Sequence, residues 1–224
     1  MELEAYLEAL ASNSPTPGGG SAATLVVAFA AALVAMVARI VRANPKYAAK
    51  ASLAEALIAQ ADALRRRAAA GRQSDEAAYE SVVAALGLPR GTESEQTRRS
   101  GELERALTAA AAAPLRAAQL AVEAAVLADR ALALGNRQLL SDLGCAADFA
   151  GAGLSACAFN VRVNHRYMKD RAAVARDEAK LADCEREAAP LLGRVRAESV
   201  RALTLPAEAS SAKGSDGPGG LVTP

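Results

Sequence analysis

The feature that most constrains this chain is an alanine-rich segment without charge between residues 21 and 38. Its length is near the ~18 residues that a membrane-spanning helix needs. A buried central helix is the other interpretation, because helices that are apolar on every side also occur in soluble cores. The segment begins in a glycine turn, ends at Arg39 and Arg42, and has no flanking aromatic belt. These features favour the buried helix.

The composition indicates an all-α protein. Apolar residues make up 52% of the 224 residues and aromatic residues 3%, and there is no Trp. A core must therefore be packed from Ala, Leu and Val, and Ala is the best helix former, while few residues favour strands. Apolar residues recur at helical spacing between short Gly/Pro segments. We predict an antiparallel bundle of five to seven long helices with a buried apolar central helix.

The predicted helices follow the apolar periodicity and its interruptions. Ser21 is the expected N-cap of the apolar helix, Gly71 breaks or softens the next helix, and Pro114 kinks or divides a later one. One helical domain is expected over residues 1–205, and the Ser/Gly/Pro-rich tail 206–224 is expected to be disordered. The predicted helices cover residues 2–11, 21–44, 45–86, 94–134, 138–166 and 170–203.

Charge and cysteine content argue against several classes of function. The 26 basic and 25 acidic residues give a net charge of +1, so no basic excess indicates nucleic-acid binding. One histidine and three cysteines without a CxxC pair do not favour a metal site. The odd cysteine count and an acidic N-terminus without signal-peptide features lead us to expect a cytoplasmic protein.

The turn Gly18-Gly19-Gly20-Ser21 leads into the apolar helix. The first turn of a helix has N–H groups without intrahelical acceptors and a partial positive charge, and glycines let a ligand approach them closely. Two interpretations fit these glycines equally well: an anion-binding turn, or a tight contact between two helices.

Asp75 precedes a helical segment whose apolar side carries Ala78, Val82 and Leu86. A carboxyl at the end of such a face becomes partly buried, which raises its pKa and suits an acid–base role. Helix capping is the simpler alternative, since Asp75 or its neighbour Ser74 would cap a helix that starts after Gly71. Taken alone, the local pattern favours the cap.

A polar stripe runs along the helix predicted over residues 138–166. Asp142 and Asn160 are 18 residues apart, about five turns, so they share a face, and Asn164 lies one turn further on. Buried polar groups are costly unless they are hydrogen-bonded, so the stripe indicates either a lined cleft or hydrogen bonds between core helices. His165, the single histidine, lies near the helix end, where we expect a surface position.

Taken together, these residues resemble the cyclodeaminase/cyclohydrolase family of folate enzymes. That family includes the cyclodeaminase part of formiminotransferase-cyclodeaminase and the stand-alone methenyltetrahydrofolate cyclohydrolases. The resemblance runs from about Leu7 to Glu187. It rests on the order and spacing of SPTPGGGSAA at 14–23, AALVAMV at 31–37, DEAAY at 75–79, LPRGT at 88–92, PL at 114–115, GN at 135–136, SD at 141–142 and NVRVN at 160–164.

The resemblance implies an all-helical homodimer that binds folate, with or without a polyglutamate tail. It implies either closure of 5-formiminotetrahydrofolate to 5,10-methenyltetrahydrofolate with release of ammonia, or interconversion of 5,10-methenyl- and 10-formyltetrahydrofolate by water. Both reactions make or break a C–N bond at one electrophilic carbon through a tetrahedral intermediate. Neither needs a metal or redox cofactor, so no cofactor beyond the tetrahydrofolate substrate is expected, and neither nucleic acid nor membrane is an expected partner.

The resemblance also assigns roles to residues. Asp75 and Asp142 are the catalytic candidates, with Asp75 as the proton shuttle. The glycine turn would position either the reacting part of the folate or a carboxylate of its glutamate tail, and both options stay open. The candidate substrate-binding residues are Gly18, Gly19, Gly20, Ser21, Lys46, Asn136, Asn160 and Asn164.

One segment departs from the family pattern. The family often has a run of basic residues before the aromatic that follows the apolar helix, whereas Lys46 alone precedes Tyr47 here. The smaller number of basic residues favours a non-catalytic folate-binding or scaffold protein of the same fold. The joint presence of Asp75, Asp142 and the two asparagines favours the enzyme. Membrane association through residues 21–38 is a third hypothesis.

Overall fold

The computed structural model describes residues 2–204, and most of them are helical. Between these two residues the chain forms six α-helices and three short 3₁₀ helices, without a strand. The all-α prediction is therefore confirmed. The α-helices are α1 (Leu3–Leu10), α2 (Gly19–Ala43), α3 (Ala51–Leu86), α4 (Glu93–Ala131), α5 (Leu140–His165) and α6 (Arg171–Thr204), and the 3₁₀ helices span Pro45–Lys50, Leu132–Leu134 and Arg137–Leu139.

The apolar helix α2 lies at the centre of the bundle. It packs against α3 and α5 along most of its length and also contacts α4. Its small side chains, such as Ala31, Val34 and Ala38, are fully buried. Among the described helices, only α2 is long and apolar enough to cross a membrane, yet 56% of its most apolar window is buried inside the bundle. The expected buried central helix is thus present.

Glycine permits the close approach of α2 and α5. A Cβ atom added at Gly153 of α5 would lie 2.6 Å from Cγ2 of Val27 on α2. Atoms at that separation overlap, so the two helix backbones can be this close only because Gly153 has no side chain. This contact holds the N-terminal half of α2 against the C-terminal half of α5.

The structure corrects one local prediction and excludes one alternative in each of two others, namely a helix break at Gly71 and a division of the helix at Pro114. The helix α2 begins at Gly19 with Gly18 as its N-cap, so Ser21 is not the cap. The helix α3 runs unbroken through Gly71, which packs against Thr24 of α2, and α4 runs unbroken through the buried Pro114. Burial in the bundle outweighs the low intrinsic helix propensity of Gly71 and Pro114.

His165 is buried, contrary to the expected surface position. It is 4% exposed, and its Nδ1 lies 3.0 Å from Oε1 of Glu178, while Asp177 is next to its other ring nitrogen. Both carboxylates belong to α6, which folds back over the end of α5 and covers the imidazole. The expected disordered tail at 206–224 lies outside the described residues and stays a prediction.

The contact at Gly153 predicts a stability difference between two glycine substitutions. Gly153→Ala should destabilise the protein by about 1–3 kcal/mol, since the methyl group overpacks the α2–α5 contact. Gly101→Ala in α4 is the matched control: no atom lies within 4 Å of its added Cβ, so better helix propensity should stabilise by ~0.5–1 kcal/mol. Urea unfolding measures both. Equal effects of the two substitutions would contradict the close contact.

Candidate functional site

A cavity of about 420 Å³ opens where the N-terminus of α2 meets α3, α4 and the C-terminal end of α5. Its volume is in the range that accommodates small-molecule ligands. One side is polar and the other is apolar and aromatic. The lining residues are Pro15, Thr16, Gly18, Gly19, Gly20, Asp75, Tyr79, Val82, Leu86, Leu103, Leu107, Ala110, Asn160, Val163, Asn164 and Tyr167.

The glycine turn receives a carboxylate from the neighbouring helix. A Cβ atom added at Gly20 would overlap Oδ1 of Asp75, and the Ser21 backbone N–H faces the Asp75 carboxylate and favours its charged form. The first turn of α2 thus binds an anion supplied by α3. This arrangement combines features of both interpretations of the turn, because the contact between α2 and α3 is made by a carboxylate of α3.

Asp75 lies in the interior of α3, so the interpretation of Asp75 as a helix cap is wrong. Burial raises the pKa of its carboxyl group, and the negative charge of the neighbouring Glu76 raises it further, while the hydrogen bond from Ser21 lowers it. Burial is the largest of the three effects. A carboxyl group that keeps its proton to higher pH than usual suits proton transfer.

Cys157 of α5 lies beneath Asp75 and is fully buried. Burial, with a smaller contribution from the negative charge of Asp75, raises the pKa of its thiol to about 12. The thiolate is the nucleophilic form of cysteine, so Cys157 is a packing residue rather than a nucleophile. Asp75 is therefore the acid–base candidate of the cavity.

Two amides of α5 line the polar side next to the glycine turn. Asn160 Nδ2 donates to the carbonyl oxygen of Ala156 at 2.8 Å, and Asn164 Nδ2 donates to those of Asn160 and Ala110 at 2.8 and 3.1 Å. Within residues 2–204 neither amide oxygen has a protein donor. Both amides are therefore held by their nitrogens and offer their oxygens as acceptors.

The opposite wall is apolar and comes mainly from α3 and α4. Tyr79, Val82 and Leu86 follow Asp75 on one face of α3, while Leu107 belongs to α4. Tyr167, just after α5, stands at the cavity and is 62% exposed. The face of α3 with Val82 and Leu86 was visible in the sequence, but Tyr79 and Tyr167 carried no signal that set them apart from core aromatics.

Six of the predicted site residues meet at this cavity. They come from three separate elements: the N-terminus of α2 with its N-cap, the C-terminal half of α3 and the end of α5. Ser21 is adjacent, but its hydroxyl bonds to Tyr6 and Glu76 and does not line the cavity. The six are Gly18, Gly19, Gly20, Asp75, Asn160 and Asn164.

The other three predicted residues lie at the opposite end of the bundle. Asp142 is in the first turn of α5, 18 residues before Asn160, or roughly 27 Å along the helix axis. The Asn136 side chain accepts a hydrogen bond from the Gln138 N–H and caps a 3₁₀ turn. Lys46 follows the C-terminus of the 25-residue α2, roughly 37 Å from the glycine turn.

A larger recess of about 750 Å³ lies at this opposite end, between the end of α4 and α6. Its arginines include Arg194 and Arg201, which are paired with Asp129 and Glu198. An ion-paired guanidinium has less capacity to bind a ligand anion. The smaller cavity beside Asp75 is therefore the candidate site, because it combines a carboxyl group of raised pKa with open acceptors and an apolar wall.

Comparison with known proteins assigns the chain to a family. The family model described as formiminotransferase-cyclodeaminase matches residues 2–183, most of the chain. The chain belongs to the formiminotransferase-cyclodeaminase family. The cavity residues from Pro15 to Tyr167 all fall inside the matched range.

Curated relatives of this family include two kinds of protein. The chain is 36% identical over 170 residues to a methenyltetrahydrofolate cyclohydrolase of Methylorubrum extorquens, which covers 76% of this chain and 82% of that protein. It is 30% identical over 168 residues to the formimidoyltransferase-cyclodeaminase of Rattus norvegicus, which covers 75% of this chain but 31% of that longer protein.

A solved structure shows the same fold. The crystal structure of formiminotetrahydrofolate cyclodeaminase from Thermotoga maritima matches with a TM-score of 0.82 at 26% sequence identity. The match covers 91% of this chain and 98% of that chain. The family fold therefore extends over nearly all the described helices.

The contact between Gly20 and Asp75 predicts unequal effects of two glycine substitutions. Gly20→Ala should displace the Asp75 carboxylate, because the added methyl group would overlap both carboxylate oxygens. Gly19→Ala meets only the Asn160 amide at an ordinary 3.6 Å. Catalytic turnover should therefore fall at least ~10-fold further in Gly20→Ala than in Gly19→Ala, since a small displacement of a reacting group is costly. Equal losses in the two variants would contradict this.

Proposed function

We propose that this chain is a methenyltetrahydrofolate cyclohydrolase, which opens the ring of 5,10-methenyltetrahydrofolate with water to give 10-formyltetrahydrofolate. The observation that supports it most is Asp75, a partly buried carboxyl group of raised pKa at the edge of a ligand-sized cavity. The relative that is 36% identical, of comparable length, has this activity by name.

The reaction needs one proton acceptor that later becomes a proton donor. Water adds to the carbon between N5 and N10, and Asp75 accepts one proton from it. The tetrahedral carbon then forms the formyl C=O as its bond to N5 breaks, and Asp75 donates its proton to N5. The second proton of the water leaves to the solvent. A raised pKa suits both steps, because the group must bind and release a proton near the working pH.

The polar and apolar sides of the cavity match the polar edge and the apolar faces of a pteridine ring. The open amide oxygens of Asn160 and Asn164 suit the N–H donors at the edge of the ring. The apolar wall that includes Tyr79 and Val82 suits its faces. Because Asp75 lies against Gly20, the glycine turn is proposed to face the reacting end of the folate, and the glutamate tail, with or without further glutamates, to leave past Tyr167.

Cyclodeamination of 5-formiminotetrahydrofolate is the second candidate, favoured by the fold match to the Thermotoga maritima cyclodeaminase. Here N10 attacks the formimino carbon, and the proton of N10 passes to the imino nitrogen to give an amine. Asp75 then donates a second proton to this nitrogen, and its bond to the carbon breaks to release ammonia. The same carboxyl group and cavity would serve both reactions. Neither reaction requires a metal or redox cofactor, and none is part of the proposal.

Absorbance separates these candidates, because 5,10-methenyltetrahydrofolate is chromophoric. The purified protein is given 5,10-methenyl- and 5-formiminotetrahydrofolate in separate reactions. Accelerated loss of absorbance with the first substrate is expected. Accelerated gain with the second alone would identify the deaminase. No acceleration of either reaction would reject the enzyme and leave a non-catalytic folate-binding protein.

Asp75→Asn tests the proton-transfer role. Asn keeps the size of the side chain and can still accept from the Ser21 N–H, but it cannot exchange a proton. The rate should fall about 10²-fold or more, with folate binding retained in an equilibrium titration. A near-normal rate would reject Asp75 as the proton shuttle.

The same variant should be more stable than the wild type at neutral pH. The folded chain holds the Asp75 proton more tightly than the unfolded chain, because its pKa is raised on folding. Wild-type stability is therefore lost as the pH rises from the ordinary carboxyl pKa through the raised value. Asn cannot ionise, so the Tm advantage of the variant should grow over this pH range and then stay constant. A pH-independent Tm difference would contradict the buried carboxylate.

We further propose that the chain is a homodimer in the cytoplasm, paired through the exposed side of α2. An apolar stripe at alternating spacings of four and three residues runs along α2, the pattern by which helices pair. Phe29 and Ile40 in this stripe are 48% and 43% exposed, and the Phe29 ring lies 6.5 Å from that of Phe149 on α5. The stripe consists of Phe29, Leu33, Met36 and Ile40.

Phe29→Glu tests this surface. Light scattering after gel filtration should give twice the 22.9 kDa chain mass for the wild type and the single mass for Phe29→Glu, because a buried charge at the interface is costly. Val200→Glu on α6, at a similarly exposed apolar position, is the control and should stay dimeric. A wild type that sediments with lipid, rather than remaining in a detergent-free supernatant, would favour the membrane hypothesis instead.

A further inference from the structure

A chain of hydrogen bonds connects α1 to the residue next to Asp75. The Tyr6 hydroxyl lies 3.0 Å from Ser21 Oγ, and Ser21 Oγ lies 2.9 Å from Oε1 of Glu76. Tyr6 is 4% exposed and is the buried residue of α1, and Ser21 is fully buried. Hydroxyl groups that are withdrawn from water and satisfied by each other form a fixed network.

The directions of these bonds follow from their chemistry. An ionised carboxylate only accepts, so Ser21 Oγ donates its single hydrogen to Glu76, and the Tyr6 hydroxyl donates to Ser21. Arg72 lies one helical turn before Glu76, and its Nη1 donates to the same oxygen at 3.0 Å. Its guanidinium also lies 5.4 Å from the Tyr6 ring centroid, within the range of a cation–π contact.

This network lies outside the ligand cavity and is connected to Asp75 through one residue. None of its four members, Tyr6, Ser21, Arg72 and Glu76, lines the cavity. Ser21 joins the two, because its hydroxyl donates to Glu76 while its backbone N–H faces the Asp75 carboxylate. The negative charge of Glu76 disfavours ionisation of Asp75 and contributes to its raised pKa.

We propose that Glu76 is a positioning residue for Asp75: the hydrogen bonds from Ser21 and Arg72 fix its carboxylate beside Asp75 on α3, and Tyr6 holds the Ser21 hydroxyl in place. This role rests on the proposed function, because Glu76 acts on the reaction only through Asp75. In this proposal α1 supports the site through Tyr6, which is the buried residue of the helix.

Among the groups around Asp75 that the structure describes, Glu76 is the one whose charge a substitution can remove to test its effect on Asp75. From α5, the Cys157 thiol stays protonated, and Asn160 is neutral. From α3, Tyr79 lines the cavity, and Arg72 is paired with Glu76. From α2, Gly20 lies against the carboxylate and the backbone N–H of Ser21 faces it, and neither carries a charge.

Glu76→Gln tests the electrostatic part of this proposal. Gln keeps the acceptor for Ser21 but removes the charge, so the limb of the pH–rate profile that reports Asp75 should move to lower pH by roughly half a unit, as expected for the loss of a nearby like charge. Glu80→Gln, one turn further along α3 and exposed, is the matched control and should leave the profile in place. Circular dichroism confirms the fold of both variants.

Tyr6→Phe tests the structural part. Phe keeps the ring beside Arg72 and removes only the hydroxyl group. Amide hydrogen exchange in α1 should accelerate severalfold, the effect of losing about 1 kcal/mol of hydrogen bonding. Tyr47→Phe, at a tyrosine that follows α2 at its far end, is the control and should leave the exchange in α1 unchanged.

The outcomes separate this proposal from the proposed function. An active wild type with a Glu76→Gln profile that superimposes on it overturns the role of Glu76 and leaves the function intact. Unchanged α1 exchange in Tyr6→Phe overturns the role of Tyr6. An inactive wild type overturns the function and, with it, any action of Glu76 on the reaction, whatever the exchange rates show.

Discussion

The close approach of the Asp75 carboxylate to the first turn of α2, made possible by the missing side chain of Gly20, is the contact on which the site depends. The positive end of α2 attracts the carboxylate, while burial disfavours its charge. The balance keeps the carboxyl group in place and still able to exchange a proton. A side chain at residue 20 would destroy this arrangement, so the glycine turn and the catalytic candidate form one structural unit.

The central helix α2 makes this contact rigid. It packs on α3, which carries Asp75, and on α5, which carries both asparagines. The close approach at Gly153 holds α5 against the same half of α2 that begins with the glycine turn. The alanine-rich composition therefore has a functional consequence: helices with small side chains approach closely enough for three of them to bring polar groups to one cavity.

Much of the fold was predictable from the sequence. Alanine content and helical periodicity indicate long helices, and short Gly/Pro segments mark the loops between them. The continuity of α3 at Gly71 and of α4 at Pro114 was not predictable, because it depends on tertiary packing. At the site, the stripe of Asn160 and Asn164 and the face after Asp75 were visible as helical spacing. The Asp75–Gly20 contact and the Tyr6–Ser21–Glu76 network join residues from different helices, and a single sequence does not show which helices meet. The burial of His165 was missed because its carboxylate partners belong to α6.

The most direct test is a crystal structure of the protein with 5-formyltetrahydrofolate, a stable folate close in shape to both substrates. We predict the pteridine in the cavity beside the glycine turn, with N5 and its formyl carbon near Asp75 and the ring edge bonded to Asn160 or Asn164. A folate bound instead at the opposite end of the bundle, near Asn136 and Asp142 and away from Asp75, would contradict it.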